Sequence, residues 1–201
     1  RYSMKLVLAT QNPKKLKEMN EILSHLGVEV VSEAELGVRI EVEETGETFT
    51  DNARLKATAV MQATGLPAVA DDSGLCVDAL NGGPGVYSAR FGGEGLDDKG
   101  RYTLLLEMLR GQTDRAAHFH TSIVCAFPNG DELVCEGECP GTIAFAPIGE
   151  GGFGYDPVFF VPELRKTFGQ LTAEEKASVS HRGKALRAFA AALDDYLKGN
   201  E

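Results

Sequence analysis

The stretch Lys5-Leu6-Val7-Leu8-Ala9-Thr10-Gln11-Asn12-Pro13-Lys14-Lys15-Leu16 decides the fold. Lys5 to Ala9 is a short apolar run of the kind a buried strand carries. From Lys14 to Leu26, the residues Leu16, Met19, Ile22, Leu23 and Leu26 recur at helical spacing, and Gly27 stops the helix. A strand that enters a helix through a polar turn is a phosphate-site arrangement, because the first N–H groups of the helix are free and its dipole favours anions. Thr10, Gln11, Asn12, Pro13, Lys14 and Lys15 bring hydroxyl, amide and lysine groups to that turn. The G-x-x-x-x-G-K-[ST] pattern of a P-loop is absent, so a solvated helix start would explain the same letters.

Further along, Val28 to Val31 reads as a strand, and Thr50 to Thr64 as a helix ended by Gly65. Ala68-Val69-Ala70 reads as a strand aimed at Asp71-Asp72, Asn81 to Gly85 as a loop, and Lys99 to Leu109 as a helix. His118 to Phe127 and Glu132 to Glu138 form a hairpin through Pro128-Asn129-Gly130-Asp131. Thr172 with Glu175 is a capping box, and His181 to Leu197 is amphipathic with Leu186, Phe189, Ala190 and Leu193 inward. Alternating strands and helices plus one hairpin predict an α/β fold with a mixed sheet.

With 201 residues, 43% hydrophobic and 25% charged, the chain reads as a single domain over 4–201. Arg1-Tyr2-Ser3 precede the first strand signal and read as a cloning remnant. No apolar run reaches the roughly 20 residues that span a bilayer, and no signal-peptide stretch opens the chain, so a cytoplasmic protein is expected. Lys plus Arg total 20 against 30 Asp plus Glu, and the net charge of −10 argues against nucleic acid or anionic membrane as a partner. A polyanionic substrate needs local help from Lys14, Lys15 and Lys17, from Lys176, Arg182, Lys184 and Arg187, or from a bound cation. Cys135 and Cys139 are spaced too loosely to argue for zinc alone. His118 and His120 share one strand face at a metal-compatible spacing that is more often structural; neither pair is counted in the site.

Three constellations carry chemistry together. Asp71-Asp72-Ser73-Gly74 follows a buried strand, and strand alternation turns only one aspartate toward a ligand. Glu41, Glu43, Glu44 and Glu47 form an acidic loop able to supply a second carboxylate to Mg2+. Gly151-Gly152-Phe153-Gly154-Tyr155-Asp156-Pro157 lets backbone approach a ligand closely and a ring stack on it, and His181-Arg182 can hydrogen-bond a base edge or a phosphate. Turn capping, a solvated acidic face and a Gly-rich bend are the plain alternatives.

At these residues the sequence resembles the Ham1-type inosine triphosphate pyrophosphatases. The matching elements run in order from T-x-N-x-x-K at Thr10 through Glu43-Glu44-Thr45-Gly46, Phe49-x-x-Asn52-Ala53, Ala70 to Gly74, Gly83 to Arg90 and Gly152 to Pro157, to Glu175-Lys176-x4-Ser180-His181-Arg182. The resemblance implies an elongated mixed sheet flanked by helices, in two lobes with a central active-site cleft. It also implies a homodimer and Mg2+-dependent hydrolysis of ITP, dITP and XTP to the monophosphate and pyrophosphate. By position it makes Asp72 the catalytic carboxylate and metal ligand, with Glu43 as second ligand. The substrate contacts it implies are Thr10, Gln11, Asn12, Pro13, Lys14, Lys15, Ser73, Phe153, Gly154, Tyr155, Asp156, Lys176, His181 and Arg182. A pyrophosphatase for other modified nucleotides and a regulator that binds a nucleotide without turnover are the rival expectations.

Overall fold

The computed structural model describes residues 3–200; Arg1 and Tyr2 of the expected remnant, and Glu201 at the end of the expected domain, lie outside the described residues. Strands β1 (Met4–Leu8), β2 (Val28–Ser32), β3 (Ala68–Val77), β4 (Gly83–Pro84), β5 (Ala116–Ala126), β6 (Glu132–Ile143), β7 (Phe159–Val161) and β8 (Lys166–Thr167) form one mixed sheet in the order β2-β1-β3-β5-β6-β7-β8, with β4 on β3. Helices α1 (Pro13–Leu23), α2 (Phe49–Thr64), α3 (Asp98–Met108), α4 (Ala173–Val179) and α5 (His181–Gly199) flank it. The chain separates into two compact units. The first holds residues up to Asp72 together with Thr121–Glu136 and the chain from Ala185; the second holds Ser73–His120 and Gly137–Lys184.

In the first unit, β1 pairs in parallel with β2 (Leu6 opposite Val30) and with β3 (Val7 opposite Ala68). Helices cover both faces, which is why these strands read as unbroken apolar runs rather than alternating ones. Leu6, Leu8 and Val69 pack with Met19 and Leu23 of α1 and with Leu186, Phe189 and Leu193 of α5. Residues of opposite parity, Val7, Ala68 and Ala70, pack with Ala53, Ala57 and Val60 of α2. Thr48 caps α2 by accepting from Asp51 N (3.0 Å), and Gly65 closes it in the left-handed conformation at φ +70°.

The core of the second unit is aromatic. Phe119 lies 4.5 Å from Phe159 and 5.4 Å from Phe168, ring centre to ring centre, within a cluster that includes Leu75, Val77, Leu105 and Leu109. Antiparallel pairing of β6 with β7 and of β7 with β8 completes it. The capping box at Thr172 and Glu175 is present.

Three strand expectations are corrected: β6 continues past Glu138 to Ile143, Gly83–Pro84 within the expected loop form β4, and β3 is longer than expected. The strand does not end at Ala70: β3 runs on through Asp71-Asp72-Ser73-Gly74 to Val77, so the aspartates lie in mid-strand and neither caps a turn. Leu75 and Val77 are completely buried, and that burial outweighs the turn preference of the polar letters before them.

Candidate active site

Strand alternation sends the two aspartates to opposite faces, as a period of two requires. Asp71 turns to α1, where both of its carboxylate oxygens lie 3.2 Å from Lys15 Nζ. Asp72 turns to α2, where Asn52 Nδ2 donates to its Oδ2 (3.2 Å). Asn52 is fully buried, and its Oδ1 accepts from Gly46 N (2.7 Å), so the loop before α2 fixes the amide that orients Asp72. Lys56, one helical turn on, donates to the Asp71 carbonyl (2.6 Å) and pairs with Glu44 (2.9 Å).

Burial is the largest influence on Asp72 and pushes its pKa up from the ordinary 3.8 to about 6. Lys56 pulls it down, the Glu44 and Asp71 charges push it up, and the Asn52 hydrogen bond favours the ionised form. A half-buried carboxylate crowded by a second one is the oxygen-only donor set that suits a hard divalent cation, and a cation there would relieve the repulsion between Asp72 and Glu44. The glutamate that joins this group is Glu44, half-buried against Lys56; Glu43, expected as the second ligand, has an exposed side chain.

The strand-to-helix turn has the expected form. Asn12 caps α1 by accepting from Lys14 N (2.9 Å), Asn12 N donates to Thr10 Oγ1 (3.2 Å), Pro13 occupies the first helical position, and the Lys14 side chain is exposed. Thr10, Gln11 and Lys56 line a cavity of about 150 Å³ with Glu33, which accepts from Gln11 Nε2 (2.8 Å). Glu33 is 3% exposed, and that burial raises its pKa against the opposing hydrogen bonds from Ile40 and Gln11.

In the second unit, the segment Gly152 to Asp156 is built around one buried carboxylate. Asp156 accepts from Phe153 N (3.0 Å) and from Lys176 Nζ (2.6 Å); burial raises its pKa and Lys176 opposes that rise. Gly152 is obligatory: φ is +73°, and a Cβ there would collide with the Asp156 carboxylate. The Phe153 ring is 67% exposed, with Lys176 Nζ 4.4 Å from its centre. Gly154 N donates to Asp98 (2.8 Å). Tyr155, expected among the contacts, is buried and donates its hydroxyl to the Ser88 carbonyl (2.6 Å), with its pKa pushed up to about 12 by that burial.

Ser180 Oγ accepts from Gly183 N (3.0 Å) at the start of α5, whose first residue, His181, is buried with its ring stacked 4.8 Å from Phe119. Stacking on Phe119, and more distantly on Phe168, fixes the plane of the His181 ring. Arg182 follows, half-buried, and Ser73 is half-buried in β3.

Asn52 and Lys56, which no sequence expectation placed in the site, are the side chains that contact Asp72 and Glu44. Asn52 belongs to the Phe49-x-x-Asn52-Ala53 element, and its spacing of four from Lys56 is the sequence signal that both share one helix face.

A protein of Exiguobacterium sp. called dITP/XTP pyrophosphatase is 50% identical over 98% of this chain and 100% of its own length. Another with the same name, from Desulforamulus reducens, is 54% identical over 92% of each chain. The solved structure of a HAM1 protein from Coxiella burnetii superposes with a TM-score of 0.92 at 43% identity, covering 96% of this chain and 99% of its own. The Ham1 family model matches residues 6–192, and the chain belongs to the Ham1 family.

Proposed function

We propose that this chain is a dITP/XTP pyrophosphatase, hydrolysing the triphosphates of deaminated purines (ITP, dITP, XTP) to the monophosphate and pyrophosphate. The observation that carries the reading is the Asp72 carboxylate, held by Asn52 and crowded by Glu44 beside Lys56. The names of full-length relatives at 50–54% identity support it.

Cleavage to a monophosphate and pyrophosphate needs water at the α-phosphorus and stabilisation of charge on the departing pyrophosphate. Asp72 would orient that water and accept its proton. Lys15 and Lys56 carry positive charge toward the phosphates, and Lys15 would exchange its Asp71 partner for phosphate oxygens. Asp72 and Glu44 would hold Mg2+, which would supply Lewis-acid neutralisation of the phosphate oxygens.

For the base, Phe153 would offer its exposed face for stacking, and His181, Arg182 or nearby backbone N–H groups would read the 6-keto oxygen of hypoxanthine or xanthine. Adenine presents a donor there, and a buried donor left unpaired costs about 1–3 kcal/mol. We further propose a homodimer working in the cytoplasm, which size-exclusion chromatography with light scattering and cell fractionation test. Among the described residues, no helix is long and apolar enough to cross a membrane.

The test is to incubate ITP and ATP separately with the protein, with Mg2+ or with EDTA, and to resolve the products. Mg2+-dependent IMP and pyrophosphate from ITP, with ATP spared, is the expected result. Diphosphate plus orthophosphate, or equal use of ATP, would overturn the reading.

A further inference from the structure

A second group of ligating side chains lies in the second unit, outside the residues assigned above. His118 and His120 are two apart on β5 and project from one face, and Glu138 stands on β6, the neighbouring strand of the sheet. One carboxylate oxygen, Glu138 Oε1, lies 2.9 Å from His120 Nδ1 and 3.9 Å from His118 Nε2. One ligand atom from each residue falls within 4.8 Å of both others. The imidazoles stand edge to face, 6.5 Å between centres at 74°, so their nitrogens converge without the rings stacking. The Lys184 ammonium donates to the Glu138 carbonyl (2.8 Å) and anchors β6 at that residue.

A tetrahedral ion with bonds of about 2.0 Å needs ligand atoms about 3.3 Å apart, a spacing that small side-chain rotations reach from this arrangement. Two imidazoles and a carboxylate form a mixed nitrogen and oxygen set, which suits Zn2+, Co2+ or Ni2+ and not Mg2+, whose preference is oxygen throughout. A hydrogen bond from His120 alone would account for one histidine at Glu138. It does not account for the second imidazole, whose Nε2 stands 3.9 Å from the same oxygen. We propose that His118, His120 and Glu138 form a transition-metal site of the Zn2+ class, with three protein ligands and a coordination position open to water or a ligand.

The chain holds four histidines, the others being His25 and His181, so the site can be read in the unaltered protein. The metal-stripped full chain is titrated with Zn2+ in millimolar Mg2+, by calorimetry and by NMR of the imidazole nitrogens. One Zn2+ per chain is expected, shifting the His118 and His120 resonances and leaving those of His25 and His181 in place. His118→Asn and His120→Asn should each weaken Zn2+ at least about tenfold, since loss of even an outer-shell partner costs about 10–100-fold. Their melting curves establish that they are folded. Saturation with Zn2+ that leaves the His118 and His120 resonances unmoved would overturn the proposal. So would unchanged affinity in the two folded variants.

Discussion

Asp72 illustrates a conflict between stability and chemistry within one residue. Its pKa in the folded chain is raised, so the protonated form is the one folding favours; the resulting stability is present below the ordinary pKa of 3.8 and is lost as pH rises through about 6. The full shift corresponds to about 3 kcal/mol, and partial solvation reduces the stability effect to about 1 kcal/mol. Asp72→Asn should therefore melt about 2–4 °C above wild type at pH 8 without divalent cations, and close to wild type at pH 4, by calorimetry. The same substitution removes the base and should lower kcat about 10²–10⁴-fold with the fold intact. A variant that is no more stable at pH 8, or that turns over normally, contradicts this account of the residue. Two carboxylates after an apolar run singled out Asp72 as a candidate. Which loop glutamate stands beside Lys56 was not readable, since adjacent loop residues look alike until the position of Lys56 is known.

At the scale of elements, the loop before α2 and the helix α4 hold these groups in place. A Cβ on Gly46 would lie 2.6 Å from Asp51 Cβ and 2.7 Å from Asn52 Oδ1. Gly46→Ala should push the Asn52 amide off Asp72, lowering kcat more than it changes KM and costing about 1–3 kcal/mol in urea unfolding. Helix α4 carries Lys176 to a carboxylate that is 4% exposed. Lys176→Met leaves Asp156 buried without its cation and should destabilise by about 3 kcal/mol; adding Asp156→Asn should recover part of that loss, and a strictly additive double variant would refute the coupling. Helix starts were legible to within one residue from periodicity and capping, as at Thr172, and Gly65 marked the end of α2; α1 instead ends at Leu23, three residues before the expected Leu26, where a short 3-10 turn takes over. The length of β3 was not, because local turn preference points one way and burial of Leu75 and Val77 the other, and burial becomes visible only in the folded chain.

For the whole molecule, alternation of strand and helix sufficed to predict a mixed α/β sheet. The order β2-β1-β3-β5-β6-β7-β8 rests on pairings between distant segments, which no local pattern encodes. Nor does spacing alone bring Glu138 to His118 and His120. The chemistry proposed for the chain turns on which phosphorus receives the water that Asp72 orients. Turnover of ITP in 18O-enriched water with Mg2+, followed by mass spectrometry of both products, measures this directly. Attack at the α-phosphorus predicts one 18O in IMP and none in pyrophosphate; label in pyrophosphate with unlabelled IMP would place the attack at the β-phosphorus and contradict the account.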